Sequence, residues 1–290
     1  MIKINISAEA MAVNFPQLSE IVELKSGGQK AVYSARHAVH GDVVLKLLPE
    51  SGHDERVLRE IEIVHQNKFP NVPVIHETGT IEANSNVFLY IIEQRIVGQD
   101  LRTFLESRDK IPLPIVLDFM DTILATVAEL EKKNIVHRDI KPDNILLDGN
   151  NKFWLIDFGI ARDVSNVSLT ATGANFGPYS AGYAPPEQFQ NMKRLIDSRA
   201  DLFAIGVTAY EMIHGENPFL AGANNVIAVL MKTATVTEDP LKISGDSSGE
   251  LSGFIKTLMQ KNHTYRPPSA AVALSWLREI KKTINTEALQ

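Results

Sequence analysis

The sequence predicts an α+β fold in two lobes, a small antiparallel β lobe with one helix and a larger, mainly α-helical lobe. Three observations support this prediction. Strand-like runs separated by hairpin turns fill the first third of the 290 residues, and helical periodicity dominates after Gly98. Between Ile135 and Gly159, two short apolar runs separate polar loops, which is typical of buried strands that hold a site. At this length, one large domain or two modest domains are expected.

The first lobe is predicted to span residues 1–94 and to open with a mixed lead-in, 1–20, that contains one short strand. Between 21 and 47, glycine-containing turns at 27–28 and 41–42 separate three strand-like runs, which indicates consecutive hairpins. The further elements predicted for this lobe are a helix, Asp54–Gln66, and two strands, Val72–Ile75 and Val87–Glu93.

The second lobe is predicted to span residues 95–285. A segment rich in Ser, Thr, Gly and Ala, 163–183, shows little periodicity and is expected to be a mobile surface segment. The run Leu202–His214 is apolar nearly all round, as in a central buried helix. The other elements predicted here are the strands Ile145–Leu147 and Phe153–Ile156 and the helices Leu101–Glu106, Pro114–Lys133, Asn224–Thr233, Gly249–Gln260 and Ser269–Lys282.

Charge and composition exclude several classes of function. The net charge of −6 argues against nucleic acid and anionic membranes as partners, because both require a basic surface. The sequence has no cysteine, which excludes disulfides, a thiol nucleophile and a thiolate metal site. Polar residues interrupt the N-terminal run, and the most apolar later run, Leu202–Ile213, is too short to span a bilayer. We therefore expect a cytoplasmic protein without membrane anchor or sensor domain. Its activating signal is expected to arrive through a regulatory protein partner or through recruitment together with the substrate, and a homodimer is a further expected partner.

The polar loops around the two central strands hold four side chains with complementary chemistry. Asp139, Asn144 and Asp157 supply oxygens for a proton or a metal ion, and Lys141 supplies a fixed positive charge. Oxygen ligands suit Mg²⁺, and a nearby cation neutralises phosphate. Spacing alone therefore predicts a site for phosphoryl transfer.

Four motifs resemble the signature set of the protein kinase family, in the family's order. They are V-V-L-K at 43–46, H-R-D-I-K-P-D-N at 137–144, D-F-G at 157–159 and A-P-P-E at 184–187. The form G-Y-A-P-P-E-Q around the last motif is most similar to the bacterial eukaryotic-like Ser/Thr protein kinases. The resemblance covers roughly residues 18–282 and implies a single kinase domain with the two-lobed protein kinase fold. It also implies transfer of the γ-phosphate of ATP, the co-substrate, to Ser/Thr hydroxyls of protein substrates.

The resemblance gives each polar residue of the two loops a separate task. Asp139 accepts the proton of the substrate hydroxyl, and Lys141 neutralises the γ-phosphate. Asn144 and Asp157 hold Mg²⁺, with Mn²⁺ as the alternative ion. A lysine at position 141 is typical of Ser/Thr kinases rather than tyrosine kinases.

Lys46 is expected to direct its ammonium group toward the α- and β-phosphates, and the resemblance supplies a carboxylate to hold it. Glu60 is the candidate because it precedes Pro70 by ten residues, which is the family's spacing. The competing Glu62 is expected to point off the helix face that carries Ile61.

The glycine loop departs from the family pattern. The family's three glycines fall at Lys25, Gly27 and Lys30. Of these three positions, only Gly27 holds a glycine, and Gly28 lies beside it. The two glycines are expected to let backbone N–H groups approach phosphate. Lys30 either adds positive charge there or points to solvent.

The resemblance also assigns the contacts to adenine. Val32, Val44 and Leu146 are expected to sandwich the ring. Backbone groups from Glu93 to Arg95 are expected to hydrogen-bond to its edge.

Residues 157–187 resemble an activation segment. Ser180 stands at the position that bonds the catalytic aspartate and lysine. Glu187 is expected to form a buried ion pair with Arg266, and Asp201 is expected to anchor the backbone of the catalytic loop.

Arg138, which precedes the catalytic base, predicts regulation by autophosphorylation, because a phosphorylated loop residue can pair with an arginine there. The alternative is a segment without a regulatory phosphate. The candidate acceptors are Ser165, Ser168, Thr170 and Thr172, of which the two threonines are preferred.

Two other functions remain open at this point. A small-molecule kinase of the same fold is one alternative, but Lys141, the A-P-P-E motif and Arg266 belong to a peptide-docking segment. A pseudokinase that serves as a scaffold is the other. It fits Lys25 and Lys30 in the glycine loop but not the intact catalytic and metal-binding residues.

His37 and His40 lie three residues apart and so admit two interpretations. They are either a pair of metal ligands or part of a hairpin tip. The following H-G-D sequence favours the hairpin tip.

Overall fold

The computed structural model describes residue 4 and residues 6–26, 30–49, 55–108, 110–158, 180–238 and 240–284. The chain divides into two compact units. Unit 1 comprises Met1–Val97 and Gly159–Val167, and unit 2 comprises Gly98–Phe158 and Ser168–Gln290. The chain first passes from unit 1 to unit 2 at Val97–Gly98, whereas the predicted boundary at 94–95 stays a prediction. The α+β class is confirmed, because unit 1 is built on a sheet and unit 2 mainly on helices.

Unit 1 contains a five-stranded antiparallel sheet in the order β1-β2-β3-β5-β4. The predicted hairpin between β2 and β3 is confirmed, since His37 pairs with Gly41 and Gly41 has a φ of 72°. The strands are β1 (Leu18–Ser26), β2 (Ala31–His37), β3 (Gly41–Pro49), β4 (Ile75–Ala83) and β5 (Asn86–Gln94), and the helices are α1 (Ala8–Asn14) and α2 (Glu55–Gln66).

The lead-in of unit 1 is a helix, α1, rather than the expected short strand. The hydroxyl of Ser7 accepts a hydrogen bond from the N–H of Ala10 and so caps the first turn. Met11 and Phe15, on this helix and just after it, are buried together with Ile4 against the sheet. Helical spacing of these apolar residues therefore overrode the strand-like start of the sequence.

The two faces of the sheet have different roles. One face is apolar and forms the core of the unit with α1, through Tyr33, Leu45 and Ile92 among others. The opposite face carries Val32, Val44, Lys46 and Glu93, because Val32 lies opposite Lys46 and Val44 opposite Glu93 in the strand register. We call these four residues the Lys46 face.

The prediction of a strand at Val72–Ile75 is wrong, because β4 begins at Ile75 and runs to Ala83. Asn71 has a φ of 56° and lies in a turn just before the predicted run, so the chain is still irregular where the strand was expected to begin. Asn84 and Ser85 both have positive φ and join β4 to β5 in a two-residue turn, which fixes the register at Ala83 opposite Asn86.

Unit 2 is organised around a buried helix, α6, in which nearly every residue from Ser198 to Met212 is buried, as predicted. α4 packs against α6 and α9. A short strand that was not predicted, β6, pairs with β7. The elements are β6 (Gly98–Asp100), α3 (Leu101–Glu106), α4 (Leu113–Glu131), β7 (Ile145–Asp148), β8 (Phe153–Leu155), α5 (Pro186–Phe189), α6 (Ser198–His214), α7 (Val226–Thr235), α8 (Glu250–Leu258) and α9 (Ala270–Thr283).

Within the described ranges, no helix combines the length and the apolar character needed to cross a membrane.

Candidate active site

The two polar loops of unit 2 are held together by the pairing of β7 and β8. Ile145 lies opposite Leu155 in the antiparallel register. One residue further, the N–H of Ile156 donates to the carbonyl of Asn144 at 2.9 Å. The loop 137–144, which we call the catalytic loop after the motif it resembles, and the loop that begins at Ile156 therefore lie at the same end of the strand pair.

Asp201, at the start of α6, anchors the backbone of the catalytic loop, as predicted. Its Oδ2 accepts from the N–H of His137 and its Oδ1 from the N–H of Arg138, both at 2.8 Å. Arg138 has a φ of 65°, so these two hydrogen bonds hold the backbone in a left-handed conformation that residues other than glycine rarely adopt. Burial raises the pKa of Asp201 to about 7, although the two backbone hydrogen bonds oppose this rise.

Asp139 lies at the centre of a short hydrogen-bond network. The hydroxyl of Ser180 donates to its Oδ1, and the amide of Asn144 donates to its Oδ2, both at 2.7 Å. The ammonium of Lys141 donates to the Ser180 hydroxyl at 3.0 Å and lies 3.7 Å from Asp139 Oδ2. The predicted hydrogen bonds of Ser180 to Asp139 and Lys141 are therefore confirmed. The Ser180 hydroxyl connects the carboxylate of Asp139 to the ammonium of Lys141.

Asn144 and Asp157 have the chemistry that a hydrated Mg²⁺ requires. The amide nitrogen of Asn144 donates to the carbonyl and to the Oδ2 of Asp139, which leaves its Oδ1 as the ligand atom. Asp157 is half-buried, with a φ of 58°, one residue after the Ile156–Asn144 backbone bond. Two hard oxygen donors at one end of the strand pair fit the predicted metal role, which stays a prediction.

Lys46 in unit 1 forms an ion pair that the sequence did not indicate. Its ammonium lies 2.5 Å from Glu93 Oε1, and both side chains are about nine-tenths buried. The sequence had assigned only backbone groups of Glu93 to the site. Glu60 is half-buried on α2, while the competing Glu62 is exposed and accepts a hydrogen bond from Gln66. The Lys46–Glu60 pair stays a prediction.

The residues assigned to adenine are partly accessible. Val32 and Val44 are half-buried on the Lys46 face, and Leu146 is half-buried on β7 of unit 2. The N–H of Arg95 donates to the carbonyl of Asp42 at 3.3 Å, a long hydrogen bond. The nucleotide roles of these residues stay predictions. The loop glycines Gly27 and Gly28 and the phosphate acceptor candidates Ser165, Ser168, Thr170 and Thr172 lie outside the described residues.

The predicted buried ion pair between Glu187 and Arg266 is confirmed. The guanidinium donates to both carboxylate oxygens of Glu187, at 2.5 and 3.1 Å, and both side chains are buried. The neighbouring Gln188 donates from its side-chain amide to the carbonyl of Arg138 at 2.8 Å. The end of the activation segment is thus attached to the body of unit 2 and to the catalytic loop.

A second buried network near this segment was missed in the sequence. The Tyr183 hydroxyl donates to Glu211 on α6 at 2.5 Å, and Arg102 on α3 donates to Glu211 and Tyr183 at 2.6 and 2.5 Å. Burial raises the pKa of Tyr183, and the neighbouring carboxylate adds to this rise. Because α3 and α6 lie far apart in sequence, local pattern gives no signal for this network.

The paired histidines of the β2–β3 turn lie close to Glu77 of β4. His37, His40 and Glu77 bring possible ligand atoms within 4.8 Å of one another. However, Nδ1 of His37 accepts from the N–H groups of Val39 and His40, so the ring proton lies on Nε2, which donates to Glu77 at 2.8 Å. These hydrogen bonds give the His37 ring a role in the hairpin turn, and the choice between a hairpin tip and a pair of metal ligands stays a prediction.

Comparison with known proteins adds an independent finding. Residues 18–277 match the sequence model of the family described as Protein kinase domain. The chain is 28% identical over 270 residues to the serine/threonine-protein kinase PknB of Mycobacterium leprae, covering 88% of this chain and 42% of that protein. It is 28% identical over 263 residues to the serine/threonine-protein kinases PknA of Corynebacterium glutamicum, covering 87% and 54%. It is 29% identical over 266 residues to PknB of Mycolicibacterium smegmatis, covering 88% and 41%. The chain spans about half the length of the curated relatives it matches.

Proposed function

Because this chain belongs to the protein kinase family, we propose that it is a Ser/Thr protein kinase that transfers the γ-phosphate of Mg-ATP to hydroxyls of protein substrates. The observation that carries this proposal is the Asp139–Ser180–Lys141 arrangement, in which a buried carboxylate and a cation are held through one hydroxyl. Two of the named relatives are PknB kinases, and their names support the assignment to serine and threonine acceptors.

Asp139 is the general base of the proposed reaction. Ser180 and Asn144 already orient its two oxygens, so a substrate hydroxyl meets a fixed acceptor without reorganisation of the loop. During transfer, the hydroxyl proton passes to Asp139 while the hydroxyl oxygen bonds to the γ-phosphorus. The bond from phosphorus to the bridging oxygen breaks and ADP leaves. Lys141 offsets the negative charge of the phosphoryl group.

Asn144 and Asp157 would hold the metal ion in this proposal. When bound, Mg²⁺ supplies charge compensation for the phosphates. Mg²⁺ rather than Mn²⁺ is the proposed ion, and two protein ligands would suit an ion that keeps part of its hydration.

Unit 1 supplies the nucleotide side of the proposed site. Lys46 binds the α- and β-phosphates and is held by Glu60, which remains the proposed partner in the nucleotide-bound protein. Val32 and Val44 contact the adenine ring from the Lys46 face, and the polar edge of adenine meets the backbone of residues 93–95. The further proposed contacts are Gly27 and Gly28 to phosphate and Leu146 to adenine.

The two units are proposed to be the lobes of one kinase domain, with residues 1–94 in the first lobe and residues 95–285 in the second.

We also propose autophosphorylation in the segment 163–180, with Thr170 and Thr172 as the preferred acceptors and Arg138 as the partner of the phosphate. The test is mass spectrometry after incubation with ATP, with Asp139→Asn protein as the blank. A protein that phosphorylates substrates but carries no phosphate in this segment contradicts this part of the proposal.

The test of the main proposal is transfer of radiolabelled γ-phosphate to a generic protein substrate, followed by phosphoamino acid analysis. We expect label on serine and threonine, and a loss of at least about 100-fold in Asp139→Asn. Asp143→Asn removes a half-exposed carboxylate from the same loop and is the matched control, expected within about threefold of wild type.

Other results of this assay point to the alternative functions. Nucleotide binding without transfer to any protein would indicate a scaffold. Transfer to amino sugars or choline-like alcohols, but not to protein, would indicate a small-molecule kinase.

A further inference from the structure

Glu93 carries a buried carboxylate to which the proposed reaction gives no role. It is the last residue but one of β5, and it lies opposite Val44 of β3 on one side and Ile75 of β4 on the other. The residue is only 9% exposed. Because directly opposed residues of antiparallel strands share a face, its side chain projects on the same side of the sheet as that of Val44.

The stability of unit 1 does not explain a carboxylate at this position. Taking the carboxylate and its partner Lys46 out of water is unfavourable, and an ion pair at 2.5 Å offsets this only in part. Buried ion pairs can often be replaced by apolar side chains without loss of stability. Ile91, two residues earlier on the same face, is such an apolar side chain, and it is also buried. A buried charge that adds little to stability is a candidate for recognition.

A base that contacts Val44 comes within reach of the Glu93 side chain. In an antiparallel pair, directly opposed residues have Cβ atoms about 4.5–5.5 Å apart. The inference rests here on the proposed function, which puts adenine against Val44 with its polar edge toward residues 93–95. In adenine that edge carries an amino group at C6, which is a donor, whereas guanine and hypoxanthine carry a carbonyl oxygen there, which is an acceptor.

We propose that the side chain of Glu93 selects adenine nucleotides over nucleotides with a carbonyl group at C6 of the base. An ionised carboxylate accepts hydrogen bonds and donates none, and the adjacent ammonium of Lys46 favours the ionised form. The carboxylate would accept a hydrogen bond from the C6 amino group and would repel a carbonyl oxygen in its place. The selection therefore combines an attractive contact with a repulsive one.

The ion pair with Lys46 makes this selection stronger. In the proposed function, phosphate oxygens draw the ammonium of Lys46 away from Glu93. An adenine amino group would then give the buried carboxylate a replacement hydrogen bond, whereas a C6 carbonyl would leave it without one. A wrong base against a fixed hydrogen-bonding group lowers affinity by about 5- to 150-fold.

Equilibrium binding of ADP and IDP, measured by calorimetry in the presence of Mg²⁺, tests this proposal. The two diphosphates carry adenine and hypoxanthine, and neither has a γ-phosphate to transfer. We expect the dissociation constant of IDP to exceed that of ADP at least about 30-fold in the wild type. In Glu93→Gln this ratio should fall at least about tenfold, because the amide oxygen still accepts from adenine while the amide NH₂ donates to the carbonyl of hypoxanthine.

A second variant and a control complete the test. Glu93→Leu removes the repulsion without adding a donor, so the ratio should fall at least about threefold but less than in Glu93→Gln. Glu82→Gln, an exposed change on β4 of the same sheet, should leave the ratio unchanged. If Glu93→Gln does not fold, as judged by circular dichroism, Glu93→Leu carries the test, because leucine suits a buried position beside Ile75 and Val44.

Two outcomes would overturn this proposal alone. They are equal affinity of the wild type for ADP and IDP, and an unchanged ratio in the Glu93 variants, which would mean that other groups distinguish the bases. Failure to bind either diphosphate would overturn the proposed function and this proposal together. Because the titration measures binding and not transfer, a protein that binds nucleotide without phosphorylating any substrate still gives a clear answer on Glu93.

Discussion

The catalytic loop of unit 2 and the Lys46 face of unit 1 both carry charged side chains, but the two regions hold them differently. Asp139 is fixed by hydrogen bonds from Ser180 and Asn144, and the backbone around it by Asp201. On the Lys46 face, the cation and the neighbouring Glu93 neutralise each other on adjacent strands.

The catalytic loop and the Lys46 face therefore differ in how far their hydrogen bonds and ion pairs must rearrange when a ligand binds. The oxygens of Asp139 already point in defined directions, so the acceptor side of the proposed reaction would need little reorganisation. Lys46 is close to a carboxylate, and phosphate oxygens would have to compete with that carboxylate for the ammonium. Changes in unit 2 should therefore act on kcat, and changes on the Lys46 face should act on the KM for ATP.

Among the changes that compare the two regions, the largest effect on stability is expected from Asp201→Asn. The asparagine offers one acceptor oxygen to two backbone N–H groups and turns its own NH₂ toward one of them, which should lower the free energy of unfolding by about 2–3 kcal/mol. We also expect kcat to fall by at least about tenfold as the loop loses its anchor. Urea denaturation and steady-state kinetics measure the two quantities.

Asp197→Asn is the matched control for this change. Asp197 caps the same helix, and asparagine caps about as well, so the loss should stay below about 1 kcal/mol. Equal losses in the two variants would show that Asp201 is not a special anchor.

Ser180→Ala is expected to lower kcat about tenfold with an unchanged KM for ATP. The change removes a hydroxyl that donates to Asp139 and accepts from Lys141, so both groups lose one fixed partner at a cost of about 1–1.5 kcal/mol. Ser180→Thr restores the hydroxyl and should restore most of the activity. A rise in the KM for ATP at constant kcat would contradict the assignment of this network to the acceptor side.

Glu93→Gln tests the other region. With the competing carboxylate removed, we expect the KM for ATP to fall about threefold, equivalent to about 0.7 kcal/mol, while kcat is unchanged. Glu82→Gln, an exposed change in the same sheet, is the control and should leave both constants unchanged. A higher KM for ATP would indicate that Glu93 supports Lys46 in the nucleotide-bound protein.

Lys261→Met provides a contrast to Lys46, because the ammonium of Lys261 lies over the aromatic ring of Phe219. Burial lowers its pKa to about 8 from 10.5 in the unfolded chain. Between these values the unfolded chain binds more protons, so the folded wild type gains stability as the pH rises. Since Lys261 is partly exposed, we expect the stability of the variant relative to wild type to fall by about 1 kcal/mol between about pH 7 and pH 10.

Chemical denaturation at several pH values checks this expectation. Lys256→Met, a change at a partly exposed lysine on α8, serves as the control. A pH dependence of the same size in both variants would mean that burial of Lys261 is not its cause.

The polar residues of the catalytic loop could be predicted because their spacing is local. The loop and its two strands form one short stretch of sequence, and the buried partners Glu187 and Arg266 followed from the family resemblance. Local sequence also predicted α3, whose predicted bounds, Leu101–Glu106, agree with the structure.

Other features had weak signals or none. The helix α1 had a signal, since Ser7 precedes apolar residues at helical spacing. The Lys46–Glu93 pair depends on which strands become neighbours, and the Arg102–Glu211 contact joins α3 to α6. Strand order and helix contacts arise from the packing of the whole unit, which no short window of sequence encodes.

The helix α1 has a practical consequence for how this protein is divided into parts. The family match begins at residue 18, but Ile4, Ile6, Met11 and Phe15 lie before it and are buried in the core of unit 1. Burial of one such side chain stabilises a protein by about 1.5–3 kcal/mol. The total free energy of unfolding of a domain is only about 5–15 kcal/mol. A chain shortened to begin at Leu18 would therefore expose the apolar sheet face that α1 covers, and we expect it to aggregate. The first residue of the family match is thus not the first residue of the folding unit.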